Sequence, residues 1–204
     1  MSEDSSPQDV RLAFLAYVQA PDSSSGRGAL LVTDEATRPL EFRCTTPIKP
    51  NSLQRMLYGK TLRSYIAADL VGVPLLGAIQ EKPSVVLVRE PLFLKLRARV
   101  NFRMVCLRRQ GEQISAAVDG GQSGSPDEPA LLSCISGRFQ PLTVTGPPDC
   151  NSELDAALEV LRPIFSEADL LEPFDRIEKV VAELDRQEVG GGSGAARSKQ
   201  PASA

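Results

Sequence analysis

VRLAFLAYVQAPDSSSGRGALLVTDEATRPLEFRCT, residues 10–45, holds three apolar runs separated by turn residues, and its reading decides the fold. Val10–Gln19 is dense in apolar and aromatic side chains and too short for a confident helix, which predicts a buried strand. Ala20–Gly28 collects Pro, Asp, Ser and Gly and reads as a loop. Ala29–Thr33 is a second strand, Asp34–Pro39 a turn and Leu40–Thr45 a third strand. In that third strand Leu40, Phe42 and Cys44 alternate with Glu41 and Arg43, which predicts one buried and one wet face. Short links between successive strands make the three an antiparallel meander.

Beyond the meander, Pro47 and Pro50 end the sheet, and Asn51 or Ser52 caps a helix. Tyr58, Leu62, Tyr65, Ile66 and Leu70 fall at helical spacing and are expected on its inner face. Gly59 weakens this helix, and Pro74 forces a second short one over Pro74–Gln80. Ser84–Val88 (SVVLV) is wholly apolar, the mark of a strand covered on both sides. A helical turn over Pro91–Leu96, a strand over Val100–Leu107 and a hairpin partner over Ile114–Val118 follow. Asp119–Pro129 reads as a loop, Leu131–Ile135 and Leu142–Thr145 as short strands, and Ser152–Leu161 and Leu170–Gln187 as two closing helices. The fold class is thus α+β: a three-strand meander, then helix and strand, further strands and two C-terminal helices. This order opens the RNase H-like fold and is shared by other α+β layouts, including roadblock-like sensor modules. Residues 1–9 are polar, and 190–204 form a Gly/Ser/Ala-rich tail that cannot bury a core. Both ends are expected to be disordered, leaving a single domain over 10–189.

The totals fit that picture. The chain has 204 residues, 42% apolar and 24% charged, enough for one domain with a core that needs no disulfide or metal. No stretch reaches the ~18–20 apolar residues of a membrane span. The acidic start lacks the basic region of a secretory signal. Cys44, Cys106, Cys134 and Cys150 are far apart with no C-x-x-C, which predicts free thiols and a cytoplasmic protein. There is no histidine. Its absence excludes His-based triads, zinc sites with His ligands and the usual general base near neutral pH. Catalysis would need carboxylates with a divalent ion, a lysine-activated serine or a thiolate.

Few residues carry a chemical signal. A two-metal nuclease needs acids gathered at neighbouring strand ends. The first strand contains none, and Asp34, Glu41 and Glu90 are the carboxylates near other strand ends, with Asp34 and Glu35 suited to a solvated turn. Gly59-Lys60-Thr61 resembles the end of a phosphate-binding loop, but Gln54 stands where its first glycine belongs. Gln122-Ser123-Gly124-Ser125 lacks the second glycine of a nucleophile elbow. No catalytic residue, metal ligand or cofactor is therefore assigned. Two surfaces are candidates for binding. Arg97, Arg99 and Arg103 share a parity that puts them on one face of an extended segment, suited to phosphate or an acidic partner, or else neutralised by the acidic closing helices. Leu170, Phe174, Ile177, Val181 and Leu184 form an apolar seam on the last helix. Its near end is expected to pack internally, and Val181 and Leu184 to meet a partner.

Gly28–Asp34 (GALLVTD), Pro39–Arg43 (PLEFR), Leu57-Tyr58-Gly59, Lys82-Pro83 and Leu171–Ile177 (LEPFDRI) resemble a family of uncharacterised bacterial proteins. The resemblance implies a bacterial, cytosolic origin and no activity. The first functional reading is a non-catalytic accessory protein that acts through protein–protein interaction. The alternative is a metal-dependent or degenerate RNase H-like protein that processes nucleic acid. A small-molecule sensor is the third.

Overall fold

A computed structural model describes residues 10–21, 24–112, 129–148 and 150–191. Seven strands form one sheet: β1 (Leu12–Gln19), β2 (Gly26–Thr33), β3 (Pro39–Cys44), β4 (Val85–Val88), β5 (Met104–Arg109), β6 (Ala130–Leu132) and β7 (Leu142–Thr145). Their order is β3-β2-β1-β4-β5-β7-β6. The meander β1–β2–β3 is antiparallel, as its short turns dictate. β4 then lies parallel to β1, with Leu12 beside Val85 and Leu15 beside Val88. β5 is parallel to β4, and β7 and β6 return antiparallel. A parallel pair needs a crossover, and the helical stretch 52–78 between β3 and β4 supplies it.

Strand alternation divides the core in two. Leu12, Phe14, Leu31, Val85, Leu87, Val105 and Leu107 face the closing helices α4 (Asn151–Glu167) and α5 (Glu172–Gly191). Ala13, Leu15, Leu30, Val32, Val86, Val88, Met104 and Cys106 face the helical segments between residues 52 and 98. β2 and β4 and the first half of β1 are therefore buried at every position, because both faces are covered. Phe14 meets Phe174 of α5 edge to face, ring centroids 5.4 Å apart.

The crossover is not one helix. It runs as α1 (Ser52–Tyr58), a 3-10 turn (Gly59–Thr61), α2 (Leu62–Tyr65), a π segment (Ile66–Gly72) and α3 (Val73–Ala78). Gly59 has φ 48°, a conformation open to glycine, and it ends α1. Gly72 lies against Leu96, where a Cβ would collide, so it lets the π segment press onto the 3-10 helix Pro91–Ala98.

Three expectations are corrected. Leu40 and Phe42 are 47% and 37% exposed, because β3 is an edge strand that the helices do not cover. Glu41 and Arg43 of that strand pair with each other instead, and the Glu41 carboxylate also accepts the backbone N–H groups of Gln80 (2.9 Å) and Glu81 (3.0 Å). Tyr58 is 37% exposed and α1 buries nothing, so the inner face of the crossover begins only with the residues after Gly59. Arg97 lies in a 3-10 helix and Arg99 caps it, with Arg103 just before β5, so the three share no strand face. The segment buries Phe93, Leu94 and Leu96, and the spacing of three between Phe93 and Leu96 suits a 3-10 turn.

The expected strand over Ile114–Val118, most of the loop Asp119–Pro129, and the ends 1–9 and 192–204 lie outside the described residues. Gly190 and Gly191 close α5 rather than begin a tail. Among the described residues no helix is long and apolar enough to cross a membrane.

Candidate functional site

In an open sheet with parallel strands, ligands meet the crevice beyond the strands' C-terminal ends. That edge is shared here by β1, β4 and β5. β1 runs past β4, so Ala16 and Tyr17 stand level with Arg89 and Glu90 just after β4, and Gln19 lies beyond them. A crevice of about 100 Å³ lies there, lined by Tyr17, Arg55, Arg63, Ile66, Glu90 and Phe93 among others. Each arrives for a local reason. Tyr17 has the parity of Ala13 and Leu15 and points to the crossover side. Gly26, diagonal to it on β2 and paired with Gln19, has no Cβ that would strike the Tyr17 ring. Arg55 donates from Nε to the Pro50 carbonyl and from Nη2 to the Ser24 carbonyl, both 3.2 Å, which pins α1 over the loop before β2. Arg63 on α2 reaches Glu90, Nη2 to Oε2 3.2 Å.

The charge balance follows from these pairs. Glu90 is the carboxylate in the crevice lining, and Arg55 and Arg63 flank it. Arg89 turns outward to Glu112 at 3.0 Å. Burial raises the Tyr17 phenol above its ordinary pKa, against the lowering influence of Arg55. Tyr17 is therefore a neutral hydrogen-bonding group at physiological pH. The crevice can attract an anion and offer it guanidinium and phenol donors.

The carboxylates singled out from sequence do not converge. Asp34 follows β2, whose end lies beside the start of β1, since Thr33 pairs with Leu12. About six residues of strand separate that level from Glu90, roughly 20 Å at a strand's rise. Asp34 there accepts the Arg38 N–H at 2.8 Å and closes a turn. Glu41 is held below the ordinary carboxylate range, first by the Glu81 N–H and then by its other donors. Its work is to fasten the chain after α3. Among the described residues no three His, Cys, Asp or Glu side chains could hold a metal ion together. These residues do not fit a two-metal centre.

The two candidate binding surfaces are also accounted for within the fold. Arg97 pairs with Glu153 of α4, Arg99 with Asp69 (2.8 Å), and Arg103 donates to the Ser84 carbonyl at 3.5 Å. Val181 is 1% exposed and belongs to the core, so it does not form a partner surface; Leu184 is half-buried. The acidic end of α5 is used internally too: Asp185 and Glu188 both bind the buried Arg27 of β2, each at 2.6 Å. Sequence reading missed Tyr17, Arg55 and Arg63. One signal was present: residues 45–68 contain Lys49, Arg55, Lys60 and Arg63 and no acid.

No family model matches the chain, and no curated protein matches it by sequence. Its fold does match solved structures. Human endonuclease V aligns with a TM-score of 0.53 at 13% identity, over 89% of this chain and 86% of that one. The Bacillus subtilis endonuclease V gives 0.53 at 12%, over 88% and 82%. The Streptomyces avermitilis protein gives 0.51 at 12%, over 91% and 84%. At such identity the likeness shows the fold, which is RNase H-like. It also corrects two expectations. The neighbours are endonucleases, which counts against the expected non-catalytic accessory role through protein–protein interaction. They count likewise against the expectation of a protein partner with nucleic acid possible but not favoured.

Proposed function

We propose that this chain is a nucleic-acid-processing protein of RNase H-like fold whose strand-end site is degenerate and engages the phosphate backbone through arginine. The observation that carries the reading is the Arg63–Glu90 pair at the C-terminal ends of the parallel strands β1 and β4. Two-metal phosphodiester chemistry needs several carboxylates around two cations about 4 Å apart. Among the described residues the crevice lining instead offers one carboxylate, Glu90, and it is paired with Arg63. A single paired carboxylate is a poor cage for two divalent cations. The net charge of −3 does not oppose this, since affinity for a backbone is set by local cations and released counterions. A cytosolic setting, which suits the free cysteines, belongs to the same reading.

The test is a titration of a labelled oligonucleotide, followed by anisotropy at several salt concentrations, with a parallel cleavage assay in Mg²⁺ and Mn²⁺. Binding should weaken with salt. Arg55→Ala and Arg63→Ala should each weaken it and flatten the salt slope by about one. No cleavage product is expected with either ion. Metal-dependent cleavage lost in Glu90→Gln would replace the degenerate site with a working one. Absence of binding at low salt would end the proposal.

A further inference from the structure

β3 leaves one edge of the sheet open. It stands at the end of the strand order, with β2 on one side and no strand among the described residues on the other. The Thr45 N–H donates to the Gly28 carbonyl of β2 at 2.9 Å, one step beyond the Cys44–Ala29 pair. Backbone groups alternate between the two sides of a strand. Arg43 and Glu41 therefore turn theirs toward β2, and Cys44 and Phe42 turn theirs outward. Pro39 and the register shift between Val32 and Thr33 blunt the near end of this edge and leave Phe42 open.

The side chains mark the same strand. Phe42, opposite Leu31, shares its face toward α5 but is 37% exposed, and Leu40 is 47% exposed. The charges bordering that face are engaged within the chain: Arg27 with Asp185 and Glu188 near Cys44, and Arg176 with Glu172 beside the turn before β3. On the other face Glu41 and Arg43 pair with each other at 2.7 Å. Neither charge is unmet, and what the two supply is a register. Place a second β3 antiparallel beside the first, with Phe42 opposite the copy's Phe42. Glu41 then lies opposite the copy's Arg43, Arg43 opposite its Glu41, and Leu40 opposite its Cys44. Each charge has an opposite charge along its own strand and another across. Centring the pair on Glu41 or Arg43 would set like charges face to face, as would a parallel copy in register. The backbone fits the same centre, since Phe42, with both groups turned outward, can exchange two hydrogen bonds with its copy.

We infer that β3 is a self-association edge, where a second copy of this chain pairs antiparallel about Phe42 and joins two seven-stranded sheets into one. The inference is independent of the nucleic-acid reading. The measurement is sedimentation velocity of the full chain over a concentration series, with circular dichroism to show that each variant is folded. The parent should pass from monomer to dimer as concentration rises. Phe42→Lys and Phe42→Glu should each raise the dimer dissociation constant by about 10-fold or more, because like charges then meet at the centre and the ring pair is lost. Leu40→Lys, at the more exposed position, should weaken the dimer as well, so the result does not hang on one site tolerating a charge. An equimolar mixture of Phe42→Lys and Phe42→Glu should form dimers again, since opposite charges then face each other. A chain that is monomeric at every concentration would overturn the inference. So would a dimer indifferent to these substitutions but lost in Leu57→Lys, which would assign the contact to the exposed side of α1. Folded Phe42 variants whose mixture stays monomeric would overturn the Phe42 centre, and with it the pairing.

Discussion

Arg97 and Glu153 form a two-point ion pair, Nη2 to Oε1 at 2.6 Å and Nε to Oε2 at 2.8 Å, that joins the coverings of opposite faces of the sheet. Arg97 belongs to the 3-10 helix on the crossover side, and Glu153 to the first turn of α4 on the other. The pair is about 70% shielded from solvent, with side chains 29% and 27% exposed. Arg97 hydrogen bonds hold the Glu153 carboxyl below its ordinary range.

Glu153→Gln should therefore lower stability at neutral pH by about 1 kcal/mol. A carboxyl whose folded pKa is depressed contributes above its unfolded pKa, and the contribution is lost as pH falls through the folded value. The melting difference between Glu153→Gln and the parent should thus be present at pH 7 and shrink toward zero on acidification below the usual carboxylate range. Thermal melts across that range check it. A difference independent of pH would show that the charge is not what matters.

Phe174 is 1% exposed and packs edge to face on Phe14 in the core between sheet and α5. Phe174→Ala should cost about 3–5 kcal/mol. Leu184, half-buried on the same seam, should cost roughly 1 kcal/mol on truncation to alanine. Chemical denaturation of the two variants side by side measures both. Equal losses would mean that α5 is packed uniformly to its far end.

Gly59 has φ 48°, and a Cβ there would touch nothing within 4 Å. Gly59→Ala should thus be destabilising by conformation alone, by about 1–2 kcal/mol. A collision cannot account for the loss, so replacement by any L-residue should cost a similar amount. Denaturation of Gly59→Ala and Gly59→Ser tests this, and a neutral result would mean that the turn can be rebuilt.

Cys106 is fully buried in β5, and desolvation pushes its thiol up to about 11. Cys134 is shifted downward, first by the hydrogen bond with Ser136 Oγ at 3.1 Å. Alkylation at pH 8 followed by mass spectrometry should leave Cys106 unmodified in the folded protein, with Cys134 labelled earlier. Cys106 should react only once the sheet unfolds, because the thiolate is the nucleophile. Early labelling of Cys106 would show that β5 opens readily.

Local chemistry was readable without the fold. Val10–Gln19 reads as a buried strand, Ala29–Thr33 as a strand and Ser84–Val88 as a strand covered on both faces, and the structure buries Leu12–Leu15, Ala29–Val32 and Val85–Val88 throughout. The seam Phe174, Ile177, Val181 reports a helix face in the same way, because a 3.6-residue repeat brings those side chains to one side. Asn51 as a cap and Gly59 as an interruption were likewise visible, since both act through their own backbone.

The sequence by itself thus determined the apolar strands of the meander, the strand at Val85–Val88 and the two closing helices, because covalent geometry and periodicity operate within a few residues. Only the tertiary structure decided what each face meets. Leu40 and Phe42 alternate like core residues and stay exposed, because their strand lies at the sheet's edge. Arg97 and Arg99 looked like one cationic face until a 3-10 turn sent them to Glu153 and Asp69. Tyr17, Arg63 and Glu90 carry no common motif, being far apart in the chain. They meet because β4 pairs parallel to β1, and that register is set by the summed burial of both sheet faces rather than by any local pattern.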